Sequence, residues 1–371
     1  MNLSSNMSQP SRIFYLVGAL GPGGLERQLA YLLQVMDRER YQPAVVVWNK
    51  KQGAFFEEKI RALGVPVYSF PSTFSGVRKL RAFRELVKKK SPELVHSYSF
   101  YTNFAVWYGT LGLRSIPIGS IRQNFLSERV NAGNVLGKLS ARWPPIQICN
   151  SLAAKETVEN TKSYWKPRSV FFVRNSLDLS QFPPSLFPWG DPQLLAVGRL
   201  YPEKRWDRLL RALAVLVGKG MKFKLSHAGD GPLRKELELQ VKELGLGDKV
   251  RFLGVRTDIP NLMKEATFLI HTADDEGCPN VVMEAMACGR AVVATDAGDI
   301  PYLVEHGKTG FVVSRGNEVS LVDSIAMLIS QQDLARQMGE AGRAKAEREF
   351  GLNRLISETL AIYRKSGWEE S

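Results

Sequence analysis

Short apolar runs alternate with segments of helical periodicity along most of the chain. The apolar runs have the length of buried strands, and this alternation is typical of a parallel α/β sheet covered by helices. Strands are predicted at residues 13–17, 44–48, 66–69, 94–97, 117–120, 146–149, 170–173, 193–197, 222–228, 250–253, 267–271 and 291–295. Helices are predicted at residues 25–36, 54–63, 77–90, 101–112, 134–142, 151–160, 317–330, 332–349 and 352–364.

The alternation is interrupted at residues 175–192, a stretch that contains four prolines. Proline has no backbone N–H to donate, so such a stretch suits a linker rather than the interior of an element. We therefore expect two doubly wound, Rossmann-like domains, residues 1–180 and residues 190–350. Ligands bind such sheets at the carboxyl ends of the strands, and these ends are expected to face one another across a cleft.

The positive charge is confined to the first half of the chain. Residues 1–185 contain 25 Lys and Arg against 11 Asp and Glu, whereas residues 186–371 contain 25 against 26. Much of the excess lies in Val77–Lys90, where apolar residues recur at helical spacing against a basic face. A basic amphipathic helix favours contact with an anionic membrane or an acidic acceptor, and a solvated helix packed on a sheet is the alternative. No aromatic–basic motif indicates nucleic acid, so we expect none as a partner.

The composition indicates a soluble, cytoplasmic protein. Contact with a membrane, if it occurs, is expected to be peripheral and at the inner face. The first twelve residues are polar, and no run approaches the roughly 18 apolar residues of a membrane helix, so neither a signal peptide nor a membrane span is expected. The three cysteines (Cys149, Cys278 and Cys288) lack the spacing of metal ligands, and their odd number argues against a disulfide framework.

A glycine-rich turn, Gly18 to Gly24, follows the first predicted strand and opens the first helix. Glycines allow close approach of a ligand to the backbone, and the N–H groups of a helix amino terminus favour an anion such as a phosphate. Gly23 and Gly24 are the candidates here, with a plain tight turn as the alternative. The spacing differs from the dinucleotide fingerprint, which disfavours a dinucleotide.

A second candidate follows the strand at residues 193–197, where Arg199 and Lys204 precede a helix. A guanidinium fork and an ammonium at this spacing suit a diphosphate, and they would also stabilise a departing phosphate without a metal ion. A pair of ordinary surface cations is the alternative.

The third candidate is a pair of carboxylates, Glu276 and Glu284, separated by seven residues. Pro279 suits the first turn of a helix and Gly289 its end, which places Glu284 inside an apolar helix and Glu276 in the loop before it. A buried carboxylate needs hydrogen-bond donors, and a ribose diol is a natural pair. Glu276 and the N–H groups around residues 278–280 suit sugar hydroxyls. An internal ion pair for Glu284 and a capping role for Glu276 are the alternatives.

These stretches together resemble the retaining glycosyltransferases of family 4, which have the GT-B fold of two Rossmann-like domains. The matching segments are GPGGLER, NSLDLSQF, GRLYPEK, HAGDGPLRKELE, VRFLG and EGCPNVVMEAMACGRAVVATDAGDIPYLVEHGKTGFVV. The resemblance implies an acceptor-binding first domain, a nucleotide-sugar-binding second domain, and a last helix, near residues 352–365, that packs back on the first domain.

The resemblance also implies roles for individual residues. Arg199 and Lys204 bind the donor diphosphate, Glu276 the donor sugar and Glu284 the ribose, while residues 252–256 lie near the base. The implied donor-binding set is Gly23, Gly24, Arg199, Lys204, Arg256, Glu276, Gly277, Cys278, Pro279, Asn280 and Glu284. The implied catalytic set is Glu276, Arg199, Lys204 and Arg122, with no metal and no cofactor.

One position departs from the family. Many members have a histidine after the fifth strand, where this sequence has Arg122, and a guanidinium cannot act as a base at neutral pH. His96, which ends an earlier strand, has no assigned role and is expected to line the cleft or pack.

The predicted function is transfer of a hexose or N-acetylhexosamine from a nucleotide-sugar, with UDP favoured over GDP, to a glycan or lipid-linked acceptor. Cell-surface polysaccharide or lipopolysaccharide assembly is the expected setting. The alternatives are a nucleotide-sugar epimerase or a phosphorylase on the same scaffold, and a catalytically silent subunit that binds a sugar nucleotide.

Overall fold

The computed structural model describes residues 10–50 and 53–370, which form two compact units. The first unit contains the described residues up to 176 together with residues 352–370, and the second contains residues 177–351. Most of the polar stretch on which the expectation about a signal peptide rests, residues 1–9, lies outside the described residues.

A seven-stranded parallel sheet forms the centre of the first unit. Its strands are β1 (Ser11–Val17), β2 (Tyr41–Val47), β3 (Val67–Ser69), β4 (Leu94–Ser97), β5 (Ile116–Ile121), β6 (Ile146–Cys149) and β7 (Ser169–Phe172), in the order β3-β2-β1-β4-β5-β6-β7. Its helices are α1 (Gly24–Gln34), α2 (Phe55–Ala62), α3 (Gly76–Lys90), α4 (Asn103–Thr110), α5 (Phe125–Asn131), α6 (Asn134–Arg142) and α7 (Leu152–Asn160). The strands β1 and β2 are buried on both faces, as parallel strands covered by helices must be.

The second unit repeats this construction with six parallel strands. They are β8 (Gln193–Val197), β9 (Lys224–Ala228), β10 (Val250–Phe252), β11 (Phe268–His271), β12 (Ala291–Thr295) and β13 (Gly310–Val313), in the order β10-β9-β8-β11-β12-β13. The helices are α8 (Trp206–Gly218), α9 (Arg234–Glu243), α10 (Ile259–Glu265), α11 (Asn280–Ala287), α12 (Ile300–Leu303), α13 (Glu318–Ser330) and α14 (Gln332–Glu349).

The fold class predicted from the alternating pattern is confirmed, because both units are doubly wound parallel sheets. The prediction omitted the strand β13 and the helices α5, α9, α10 and α12. The edge strand β13 has four residues and pairs with β12 through a segment that begins at a glycine. The seven residues of α5 are too few to show helical periodicity, and the helix depends on the Asn124 side chain, which accepts N–H bonds from Leu126 and Ser127.

The basic helix α3 packs on the sheet of the first unit. Phe83 and Val87 are fully buried among core residues of β1, β2 and β4, so the apolar side of the helix faces the protein. Of its basic residues, Arg78, Arg81, Lys88, Lys89 and Lys90 are exposed, whereas Lys79 and Arg84 are half-buried. Within the described residues, no helix combines the length and the apolarity that crossing a bilayer requires.

The last helix, α15 (Leu352–Lys365), belongs to the first unit although it follows the second in the chain. Arg354 on this helix donates hydrogen bonds to the carbonyl oxygens of Arg174 and Asn175, at 3.1 and 2.8 Å. Tyr363 is fully buried, and its hydroxyl lies 2.7 Å from Nδ1 of His96 on β4. The core of the first unit therefore includes side chains from both ends of the sequence.

Candidate functional site

Each sheet has one point at which the strand order reverses, and this point marks the expected ligand crevice. In the second unit the reversal lies between β8 and β11, and in the first between β1 and β4. Loops that leave the carboxyl ends of such strands diverge and open a crevice. The loop with Arg199 and Lys204 follows β8, and the loop with Glu276 follows β11, so these residues lie at the reversal point of the second unit.

The carboxylate of Glu276 is held by two neighbours. The Lys204 ammonium forms an ion pair with Oε1 of Glu276, and Nε2 of His271 lies 2.7 Å from the same oxygen. A carboxylate can only accept, so Nε2 of His271 carries the proton of this bond. All three side chains are largely buried, that of Glu276 being 13% exposed.

This environment keeps Glu276 ionised. Burial alone would raise the pKa of the carboxyl, but the positive charge of Lys204 and the hydrogen bond from His271 outweigh burial and lower the pKa to about 2. The site therefore presents a fixed negative charge at neutral pH, directly beside a fixed positive one.

The loops after β8 and β11 are bonded to each other through their backbones. The Thr272 hydroxyl lies 3.1 Å from the carbonyl oxygens of both Lys204 and Arg205, and the Asp274 N–H donates to the Glu203 carbonyl at 2.8 Å. These bonds fix the spacing between the two loops, and hence the spacing between Lys204 and Glu276.

Two arginines complete this connection. Arg205 donates to Oδ2 of Asp274 at 2.7 Å, and the buried Arg208 donates to Oδ1 at 2.8 Å. Burial disfavours the charged carboxylate, but the hydrogen bonds from the two arginines outweigh burial and lower the pKa of Asp274. Arg205 has a left-handed backbone, with φ of 52°, that its bonds to Asp274 and Asp207 hold in place.

Both oxygens of the Asp274 carboxylate are thus engaged by arginines. Among the described residues, no group of three or more His, Cys, Asp or Glu side chains is placed to hold a metal ion.

Helix α11 carries the second predicted carboxylate. Pro279 immediately precedes the helix, one residue before the predicted first turn, and Gly289, with φ of 73°, follows its end as predicted. Glu284 lies inside this helix and is 2% exposed. A further glycine supports the loop before it, because a Cβ at Gly298 would lie 2.4 Å from the carbonyl oxygens of Glu276 and Gly277.

The other predicted residues are distributed more widely. Arg199 is 60% exposed, 3.7 Å from Glu203, and its guanidinium lies over the Tyr201 ring. Arg256 is exposed on the loop after β10 and forms an ion pair with Asp258. The structure therefore brings together Lys204 and the segment that holds Glu276, Gly277, Cys278, Pro279, Asn280 and Glu284.

The remaining predicted residues, Gly23, Gly24 and Arg122, belong to the first unit. Gly23 precedes α1 in an extended conformation and Gly24 is the first residue of that helix, so the glycine-rich turn does lead into a helix amino terminus. Arg122 is the first residue after β5.

Sequence reasoning missed the roles of five residues of this site, Arg205, Arg208, His271, Thr272 and Asp274. His271 ends a predicted strand five residues before Glu276, which is a signal that it lies at the crevice edge. The roles of Thr272 and Asp274 depend on contacts with residues about 68 positions earlier, which no local pattern reveals.

Replacing Glu276 with Gln should make stability less dependent on pH. The folded pKa of about 2 lies below the ordinary 4.5, so the ionised carboxylate stabilises the fold above about pH 4.5 and this contribution is lost as the pH falls towards 2. In urea unfolding, the free-energy difference between wild type and Glu276→Gln should shrink by about 2 kcal/mol from pH 7 to pH 3.

Glu340→Gln is the matched control, because the Glu340 side chain is 64% exposed on α14. Its difference from wild type should vary little over the same range. A constant difference for Glu276→Gln would contradict the lowered pKa.

Comparison with known proteins identifies the family. Residues 180–345 match the family described as glycosyl transferases group 1, and residues 23–119 match the glycosyl transferase 4-like domain. An uncharacterized glycosyltransferase of Haemophilus influenzae is 25% identical over 360 residues, which cover 94% of this chain and 98% of the relative.

A second relative is the GalNAc-alpha-(1->4)-GalNAc-alpha-(1->3)-diNAcBac-PP-undecaprenol alpha-1,4-N-acetyl-D-galactosaminyltransferase of Campylobacter jejuni. It is 22% identical over 359 residues, covering 95% of this chain and 98% of the relative. Among solved structures, Anabaena HepE in complex with UDP and glucose aligns with a TM-score of 0.80 at 22% identity, covering 96% of this chain and all of that one. One family match lies in each unit, and the solved structure has the same fold as this chain. The chain belongs to the group 1 glycosyl transferases, which are GT-B glycosyltransferases.

Proposed function

We propose that this glycosyltransferase is a retaining, metal-independent enzyme. It transfers a hexose or N-acetylhexosamine from a nucleotide-sugar, with a UDP-sugar favoured over a GDP-sugar, to an acceptor hydroxyl. Cell-surface polysaccharide or glycolipid assembly is the proposed setting.

The observation that carries this proposal is the charge arrangement at the reversal point of the second unit. Lys204 and Glu276 form a largely buried pair, and Glu284 is buried in α11 beyond it. The cation suits a diphosphate, the ionised Glu276 suits the donor sugar, and Glu284 suits the ribose diol. A nucleotide-sugar contains all three parts, with the diphosphate between the donor sugar and the ribose.

In the proposed reaction, the bond between the anomeric carbon and the diphosphate oxygen breaks while the acceptor oxygen bonds to the same carbon from the same face. The acceptor proton passes to the leaving diphosphate. Arg199 and Lys204 stabilise the negative charge of that leaving group. Glu276, which remains ionised, stabilises positive charge at the sugar, as carboxylates do in glycosyl chemistry.

The names of relatives support the choice of substrates. HepE was solved with UDP and glucose, and the Campylobacter enzyme is named for an acceptor linked through PP to undecaprenol. A further structure of the same fold is described as a lipopolysaccharide outer core galactosyltransferase, with a TM-score of 0.76 at 17% identity. We therefore favour a UDP-sugar donor and a lipid-linked or glycan acceptor bound by the first unit.

Calorimetry should detect binding of one nucleotide, UDP or GDP, in the micromolar range, and Glu284→Gln should weaken it about 10- to 100-fold. This range corresponds to the loss of a charge-assisted hydrogen bond of about 1.5–3 kcal/mol. Glu340→Gln, which makes the same change at an exposed position of the same unit, should bind like wild type.

Unchanged binding by Glu284→Gln would contradict the ribose assignment alone. Absence of binding by folded wild-type protein would contradict the donor site as a whole. Binding without any turnover, for any sugar or acceptor, would favour the silent subunit. Conversion of the donor to another nucleotide-sugar would indicate an epimerase.

Release of nucleotide from the donor, with water as acceptor, should be unaffected by EDTA and should fall roughly 10²- to 10³-fold in Lys204→Gln. The reason is that the Lys204 ammonium, rather than a metal ion, is proposed to stabilise the departing diphosphate. Lys219→Gln is the control, because Lys219 is exposed beyond the end of α8 in the same unit. Loss of activity in EDTA, restored by a divalent metal, would contradict the metal-independent mechanism.

The same reaction tests retention. The first-formed sugar should have the anomeric configuration of the donor, as read from its H1–H2 coupling by proton NMR. The opposite anomer would rule out the same-face attack.

A peripheral membrane contact through Val77–Lys90 is also part of the proposal. The packing of this helix determines which physical interaction such a contact would use. Because the apolar side of α3 packs in the core, contact through this helix would be electrostatic and not an insertion. Exposed apolar side chains include Val77 at the start of α3, Val130 on α5 and Val135 on α6.

Low-salt binding to phosphatidylglycerol vesicles should weaken at least tenfold when Gln replaces five basic residues of α3, since each is worth up to about 1 kcal/mol near an anionic surface. These residues are Lys79, Arg81, Lys88, Lys89 and Lys90. Five exposed lysines of the second unit provide the control of equal charge, namely Lys219, Lys222, Lys224, Lys235 and Lys242. Equal binding by the α3 variant and wild type would exclude this contact.

A further inference from the structure

Arg122 occupies the carboxyl edge of the first unit's sheet, immediately after β5. This edge is next to the point where the strand order reverses between β1 and β4, at which the Gly18 N–H donates to the Ser99 hydroxyl at 3.0 Å. Arg122 is therefore placed where a ligand of the first unit is expected.

The guanidinium of Arg122 is held by two neutral groups. Its central carbon lies 4.2 Å from the centre of the Tyr98 ring, and Nη2 donates to the Ser120 hydroxyl at 3.2 Å. Its Nε is buried and has no hydrogen-bond partner among the described residues. The cation is thus oriented by its neighbours without being neutralised by them.

The groups behind this arginine are also uncharged. Nε2 of His96 lies 3.0 Å from the Ser120 hydroxyl, and Nδ1 lies 2.7 Å from the Tyr363 hydroxyl. Burial, and next the charge of Arg122, lower the pKa of His96 well below its usual value, while burial raises the pKa of Tyr98. At neutral pH the cluster therefore contributes no negative charge.

No carboxylate within the described part of the chain lies within 4.0 Å of the Arg122 guanidinium. The nearby Glu128 accepts from the backbone N–H of Arg122, at 2.9 Å. The buried Arg208 of the second unit is different, because Asp274 neutralises it. A partly buried cation without a counter-charge is costly to maintain, and an anionic ligand removes that cost.

We propose that Arg122 binds a phosphate group of a substrate. This inference rests on the proposed function and deepens it. The planar guanidinium, fixed over Tyr98 and bonded to Ser120, offers its remaining N–H groups in the fork geometry that phosphate oxygens match. The phosphate belongs either to a phosphate-bearing acceptor or to the donor diphosphate, and the two sources are separable by experiment.

The test uses two titrations of the full-length protein by calorimetry. The first adds the nucleotide that wild type binds, and the second adds inorganic phosphate to protein already saturated with that nucleotide. Both are run on wild type, Arg122→Gln, Arg122→Lys and Arg114→Gln. Arg114 is the matched control, because it is an exposed arginine before the opposite end of β5.

An acceptor phosphate predicts that Arg122→Gln weakens phosphate binding at least tenfold and leaves nucleotide binding within twofold of wild type. A donor phosphate predicts the reverse, with nucleotide binding weakened at least tenfold. In either case Arg122→Lys should retain part of the affinity, and Arg114→Gln should match wild type. Wild-type behaviour of Arg122→Gln in both titrations would overturn the proposal.

A measurement on wild type covers the case in which Arg122→Gln does not fold. The Nε–H resonance of Arg122, assigned by its absence in Arg122→Lys, should shift when phosphate or nucleotide is added, and an unmoved resonance would overturn the proposal. If wild type binds no nucleotide, the proposed function fails, and the phosphate titration without nucleotide still tests Arg122.

Discussion

The arrangement of the two loops at the reversal point of the second unit depends on a buried carboxylate that remains charged. Glu276 is largely removed from water, which by itself would neutralise it, and Lys204 and His271 reverse that tendency. The balance requires that two loops, 72 residues apart in sequence, remain within hydrogen-bond distance. The bonds from Thr272 and Asp274 to the loop after β8 maintain this distance, and the left-handed Arg205 is tolerated because it contributes to them.

The two units have the same kind of strand arrangement, but they differ in how the charged side chains near the reversal point are partnered. At the reversal point of the second unit, charged side chains form pairs of opposite sign, namely Lys204 with Glu276 and Arg208 with Asp274. In the first unit, hydroxyls, aromatic rings and a neutral histidine surround a single guanidinium. The paired charges of the second unit connect two loops, whereas Arg122 of the first unit has neutral neighbours and is the residue that we propose binds a phosphate.

Most of the fold could be predicted because the burial of an element determines which of its consecutive positions are apolar. Parallel strands covered on both faces are continuous apolar runs, and the twelve predicted strands follow from that rule. The position of Glu284 inside α11 also followed locally, from Pro279 and Gly289 at the ends of the helix. The pairing of Lys204 with Glu276 could not be predicted, because a pattern along the chain does not state which side chains meet across two loops.

The return of α15 to the first unit makes that unit discontinuous, with consequences for biosynthesis. Its β4 histidine and its Arg174–Asn175 carbonyls receive their partners, Tyr363 and Arg354, only after the entire second unit has left the ribosome. The first unit therefore lacks these two contacts until its last helix has been synthesised. The second unit is encoded without interruption, so all of its residues have been synthesised before the last helix of the first unit.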